Sequence, residues 1–431
     1  MPGYIINGRK TLTGSVKISG AKNSALKIMA AAIMADGRVT LRNVPDIEDV
    51  NTMIEVLRTL NVLLDFDKNK NILEIDPSGI NSYEAPYELV RKMRASVLVA
   101  GPLLTKFGRV KVAIPGGCNI GARQIDIHLK GFEELGAKNY IEHGYINCSA
   151  DIKKSKTAGK ANLKGAIINL DFPSRGATEN LMMAAVMAEG RTVINNSACE
   201  KEIVDLADFL SAMGAEIEGA GTDSIKITGA SKLGQGLTDY TIMPDSIEAG
   251  TFIAAAALCG KKVEIQDAIW NNMEIFCQKI KEIGIDISPA GERAVVVSRP
   301  KKVLKPVNIS TLPYPGFPTD LQPVIAVLLS VVPGVSIITE NVFENRFMYV
   351  EELNRMGANI KIDGHHAVIN GVKMLSGAPV KAFDLRAGAA MVLAGLVAEG
   401  TTEVYDIQHI KRGYENFQSK LRALGADISV V

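Results

Sequence analysis

A chain of 431 residues is longer than one hydrophobic core usually organises, so two domains are expected, each able to bury a large core. Its 48 basic and 47 acidic residues leave a net charge of +1 with neutral histidines, which argues against a surface that coats nucleic acid or membrane and means that any anion is held locally. The five cysteines, Cys118, Cys148, Cys199, Cys259 and Cys277, are scattered, with no CxxC pair and no clustered histidines, so neither a disulfide framework nor a metal site is expected.

The first stretch, MPGYIINGRKTLTG, lacks the apolar core of a signal peptide, and apolar runs such as LKIMAAAIMA are too short to span a bilayer. A cytoplasmic protein is expected. The opening YIINGRKTLTGSVKISG is strand-like but belongs to no complete first unit, and is expected to cross over and pair with the second lobe. From LKIMAAAIMA onward one unit recurs: apolar helix, glycine turn, β-branched strand, amphipathic helix, short LGAxI strand.

The first unit has its turn at MADGRVTL and its exit at LRTLNVLL, and the second runs from ASVLVAGPLL through TKFGRVKV to FEELGAKNYI. The third follows with NLMMAAVMA, MAEGRTVI and LSAMGAEI, the fourth with GTFIAAAAL, LCGKKVEI and IKEIGIDI. LQPVIAVLLS, VVPGVSII and LNRMGANI make the fifth; AAMVLAGLVA, VAEGTTEV and LRALGADI make the sixth. At roughly 70 residues each, the units are longer than solenoid repeats. The alanine-rich first helices are apolar on nearly every side and should be buried, whereas the second helices, VYDIQHIKRGYENFQSKLRAL among them, are amphipathic and should lie outside. Six units divide as three plus three, with the seam expected between Gly221 and Ser246. The lobes are then 22–242, and 1–21 with 243–431. A cleft between two lobes is where a ligand is expected.

Several loop residues carry chemistry. PGGCNIGAR sets Cys118 between glycines with Arg123 five residues on, a setting in which a thiol is thinly covered and nearby cations lower its pKa. Lys22, Arg94, Arg123, Arg346, Arg386 and Arg412 are cations in loops, and guanidinium groups donate paired hydrogen bonds to planar oxyanions. Asp320, just before LQPVIAVLLS, reads either as a helix N-cap or as a general base. His365 and His366 read as a surface turn, and His409 lines a cleft or packs a helix. No flavin or nicotinamide fingerprint is present.

With six units, GAKNSALKIMAA, PGGCNIGAR, MRAS at Met93, FPTDLQ at Phe317, ENRFM at Glu344, DLRAG at Asp384 and KRGYE at Lys411, the sequence resembles the UDP-N-acetylglucosamine 1-carboxyvinyltransferases, or enolpyruvyl transferases, end to end. The resemblance implies an α/β fold, a two-lobed inside-out α/β barrel with three repeats per lobe. It implies transfer of enolpyruvyl from phosphoenolpyruvate to the 3-hydroxyl of UDP-N-acetylglucosamine through a tetrahedral ketal, the first committed step of peptidoglycan synthesis. No cofactor, metal, nucleic acid or membrane is implied, and a monomer is expected.

By the same resemblance Lys22, Arg123 and Arg412 hold phosphoenolpyruvate, Cys118 donates the proton and also forms a covalent adduct, and Asp320 is the base. Asn23, Arg94, Arg123, Gln124, Ile125, Asp126, Ile127, Ser174, Arg175 and Gly176 contact the nucleotide sugar, Val342 is a further substrate-binding residue, and Arg346 and Arg386 support the second lobe's side. Two positions depart from the family pattern: Phe172 stands where many members have lysine, which leaves one diphosphate contact either missing or supplied by Arg175, and Asn119 replaces a small residue beside the thiol. The other four cysteines read as inert. A sister transferase acting on shikimate 3-phosphate would share the fold but not the cysteine loop. A catalytically silent paralogue that senses the nucleotide sugar, and a purely structural scaffold, are the other readings.

Overall fold

The structure is a computed structural model that describes residues 3–91, 93–114, 125–151, 161–300 and 302–431. These residues form two compact units, a central one within 20–243 and a split one made of residues up to Ser19 together with Pro244–Val431. Each has its own apolar core.

Every repeat builds the same four-stranded sheet. A parallel pair is followed by two antiparallel strands, as in Pro379–Lys381, Thr401–Tyr405, Gly3–Asn7 and Asp427–Val430. Parallel neighbours need a crossover connection, and the apolar helix supplies it: Leu385–Val397 joins Pro379–Lys381 to Thr401–Tyr405. Two sheets take their parallel strand from elsewhere in the chain. Thr238–Thr241 pairs with Val39–Arg42 and closes the central unit on itself, and Leu12–Lys17 pairs with Gly260–Gln266. The opening segment thus adds one strand to each of two sheets of the split unit, which is why a unit interrupted by more than two hundred residues still closes.

The inner helices are buried all round, as their composition requires. In Ser246–Cys259 every residue from Ile247 to Leu258 is buried, and alanines let neighbouring helices approach. Outer helices bury one stripe only: Glu274–Ile283 buries Phe276, Cys277, Ile280 and Ile283, the spacing of a single helical face. The LGA exits end these helices in the left-handed conformation, with φ of +92° at Gly136, +98° at Gly214, +103° at Gly284, +88° at Gly357 and +103° at Gly425. In the first repeat Asn61 stands there at +63°, because asparagine tolerates that region better than other side chains.

The chain passes between units at Ser19/Gly20 and Met243/Pro244. Within the central unit Ala21 N donates to Met243 O at 2.7 Å, and within the split unit Asp245 N donates to Ser19 O at 2.9 Å. A Cβ on Gly20 would lie 1.8 Å from the Asn43 carbonyl oxygen, so only glycine fits.

One sequence expectation is corrected. VYDIQHIKRGYENFQSKLRAL is not one helix: Thr401–Tyr405 is a strand, and the helices Gln408–Lys411 and Phe417–Ala423 are separated by a turn. Asp406 and Asn416 have φ of +61° and +51°, which no α-helix accommodates. The break presents Arg412 and Tyr414.

Candidate active site

In the split unit, the three inner helices pack against one another, and an aspartate precedes each. Asp245 caps the first by accepting from Ile247 N at 2.8 Å and Glu248 N at 2.9 Å. Asp384 caps the third through Arg386 N at 2.7 Å and Ala387 N at 3.0 Å. Asp320 differs. It lies in the short turn Thr319–Leu321, and Gln322–Ser330 begins with a proline in its first turn, which removes one N–H that would need a cap. The Asp320 carboxylate accepts instead from Arg346 Nη2 at 3.1 Å and Arg386 Nη2 at 3.5 Å.

Both guanidinium groups are buried while the carboxylate is about a quarter exposed, with side-chain exposures of 1%, 5% and 24% for Arg346, Arg386 and Asp320. Burial opposes the charge on Arg386, but Tyr414, Asp320 and Asp245 beside it outweigh that and raise its pKa. Glu340, 4% exposed, fixes the surrounding loops: it accepts from Thr319 Oγ1 at 3.0 Å, Val342 N at 2.9 Å and Phe343 N at 3.1 Å. Val342 and Arg412 are half-buried.

In the central unit the inner helices begin with cations. Lys22 opens Lys22–Ala32, and its Nζ lies 2.6 Å from Asp49 Oδ2, with Asp49 almost wholly buried. Asn23 follows it, half-buried. Arg94 opens the turn Arg94–Val99, close enough to His128 to hold that fully buried imidazole down to about 4, with burial the larger cause. His128 Nδ1 sits 3.1 Å from Asn180 Nδ2. Arg175 opens Arg175–Ala185, whose cap is Ser174, and pairs with Glu200 at 3.2 Å and Glu202 at 3.9 Å. Gly176, half-buried, lies against His128. Ile125, Asp126 and Ile127 form the start of Asp126–Glu134, with Asp126 exposed and Ile127 buried.

The structure thus brings Asp320, Arg346 and Arg386 into direct contact and puts Lys22, Arg94 and Arg175 at successive helix starts. Cys118, Asn119, Arg123 and Gln124 lie outside the described residues. Phe172 is exposed, and Arg175, the candidate substitute for its missing charge, is already engaged by two glutamates. Burial pushes the thiols of Cys148, Cys259 and Cys277 up to about 12 and raises Cys199, where Glu200 and Asp223 add to the effect; thiols held so high are poor nucleophiles. His366 contacts Thr339 at 2.9 Å within its strand pair, and His365 sits in the adjoining turn. Sequence reasoning missed Asp49, Glu340 and Tyr414; the last two adjoin or lie inside motifs already noted.

A family model described as EPSP synthase (3-phosphoshikimate 1-carboxyvinyltransferase) matches residues 6–421. UDP-N-acetylglucosamine 1-carboxyvinyltransferase 2 of Carboxydothermus hydrogenoformans is 53% identical over 431 residues, covering 100% of both chains. The chain belongs to the UDP-N-acetylglucosamine 1-carboxyvinyltransferase family. Among solved structures, this carboxyvinyltransferase resembles the enolpyruvyl transferase NikO from Streptomyces tendae, at 25% identity and TM-score 0.88, with 100% and 99% of the chains covered. An EPSP synthase from Acinetobacter baumannii shares the fold at TM-score 0.76 and 18% identity, over 100% and 99% of the chains. Among the described residues no helix is long and apolar enough to cross a membrane, and no three His, Cys, Asp or Glu side chains cluster as metal ligands.

Proposed function

We propose that the chain transfers the enolpyruvyl group of phosphoenolpyruvate to the 3-hydroxyl of UDP-N-acetylglucosamine and releases phosphate. The observation that carries this is full-length identity of 53% to a carboxyvinyltransferase of that name, joined to an aspartate held by two buried arginines instead of capping its helix. On this reading Asp320 removes the hydroxyl proton as the oxygen attacks C2 of phosphoenolpyruvate, and Cys118 delivers a proton to C3. The tetrahedral ketal then expels phosphate. Lys22, Arg123 and Arg412 balance the charge of phosphate and carboxylate. Asn23, Arg94, Gln124, Ile125, Asp126, Ile127, Ser174, Arg175, Gly176 and Val342 hold the nucleotide sugar, while Arg346 and Arg386 orient Asp320. The reading extends to a cytoplasmic monomer at the entry to peptidoglycan synthesis, with the lobe boundaries in the chain at 21/22 and 242/243.

The test is phosphate release from phosphoenolpyruvate by the purified protein, with UDP-N-acetylglucosamine and shikimate 3-phosphate offered separately. Release with the nucleotide sugar alone is expected. Release with shikimate 3-phosphate alone would overturn the acceptor. Cys118→Ser should lose most turnover yet keep nucleotide-sugar binding; equal loss of both would remove the thiol from the donor role.

A further inference from the structure

Arg386 is buried with its Nη2 on Asp320, and among the described residues its Nη1 has no hydrogen-bond partner. What holds this guanidinium in register lies on the turn that interrupts the last repeat's outer helices. Tyr414, 3% exposed, places its ring 5.4 Å from the Arg386 guanidinium carbon and packs at 4.8 Å on Phe417. Its hydroxyl lies 2.8 Å from Thr251 Oγ1 on the first inner helix of the split unit.

The direction of that hydrogen bond follows from its neighbour. Thr251 Oγ1 donates its one proton to the Ile247 carbonyl at 2.9 Å, so towards Tyr414 it can only accept. The phenol therefore donates to Thr251, and its oxygen lone pairs remain for the cation beside it. Burial raises the Tyr414 pKa and keeps the phenol protonated, so the arrangement persists through the neutral range.

We infer that Tyr414 is a positioning residue for the reaction: oriented by Thr251, it fixes Arg386 and through it the Asp320 carboxylate. The inference rests on the reading of Asp320 as the base. It also gives the turn that carries Arg412 a second role, since the same five-residue break delivers the phenol.

The experiment is steady-state kinetics of Tyr414→Phe, Thr251→Val and Thr251→Ser, with melting temperatures and nucleotide-sugar titrations. Tyr414→Phe keeps the ring and loses the oxygen. Losing the phenol oxygen beside the Arg386 guanidinium should lower kcat about tenfold or more, with KM for both substrates within about twofold, since uniform binding is untouched. Thr251→Val removes the acceptor and should act in the same direction, while Thr251→Ser restores it and should recover wild-type kcat. Wild-type kcat in Tyr414→Phe would overturn the inference. So would kcat loss in both Thr251 variants that tracks melting temperature, which marks a merely structural role. Asp320→Asn run alongside separates the two claims: if it turns over normally, the base reading fails; if it is inactive and Tyr414→Phe is not affected, only the positioning role falls.

Discussion

The two units build their inner helices from the same repeat and start them with opposite charge. In the central unit Lys22, Arg94 and Arg175 are the first residues of their helical segments; in the split unit Asp245 and Asp384 stand one residue earlier, at the cap, and Asp320 lies in the short turn that leads into its helix. The helix dipole favours an anion at this end and opposes a cation. The split unit therefore follows local physics, with two of three aspartates capping. The central unit departs from it, with Lys22 offset by Asp49 and Arg175 by Glu200 and Glu202. A cation held against the dipole, at the end where backbone N–H groups point outward, is suited to a phosphate. Such departures from local preference mark function more sharply than agreements do. The same logic singles out Asp320, which accepts from two arginines where Asp245 and Asp384 cap their helices.

Substitutions can break this contrast, beginning with the largest effect. Lys22→Met should cut turnover about a thousandfold and lower the melting temperature, because it strands a buried Asp49. Adding Asn at position 49 should recover the melting temperature and not the turnover, as calorimetry and phosphate release would show. Full recovery of turnover would make Lys22 a partner for Asp49 and nothing more.

The next test concerns a buried pair in the central unit only. Lys27 bridges Glu179, 1% exposed, between the first and third inner helices. Burial pushes Glu179 up to about 7, against the opposing pull of Lys27 and Arg175. A carboxyl raised in the folded state binds its proton more tightly there, so its contribution is fully present below the unfolded value of about 4.3 and is lost as pH rises through about 7. Denaturant titrations of Lys27→Met should show stability falling more from pH 6 to 8 than in wild type. An identical pH dependence would show that the pair does not control this titration.

The smallest effect separates capping from charge. Asp384→Ala should cost about 0.5–2 kcal/mol of stability, and Asp384→Asn almost none, since asparagine caps as well. Comparable destabilisation by the two would assign Asp384 a role beyond the cap.

Much of this was legible in the sequence. The six turns, the alanine-rich inner helices and the LGA exits follow from local rules, and even the irregular first exit is explained by Asn61 taking the left-handed conformation. What stayed hidden were partners supplied by distant repeats. Asp320 meets Arg386 across 66 positions and Thr251 meets Tyr414 across 163, and no periodicity encodes such pairs. The broken last helix was missed because Gln408–Lys411 and Phe417–Ala423 share helical spacing across a turn that ends on Asn416, a non-glycine residue at positive φ.

The central claim is that one aspartate of three was released from capping for chemistry. It is tested most directly by phosphate release and substrate titration in Asp320→Asn beside Asp384→Asn. The account predicts that Asp320→Asn binds both substrates and loses at least about a hundredfold in turnover, while Asp384→Asn stays within a few-fold of wild type. Equal turnover in the two variants would contradict it.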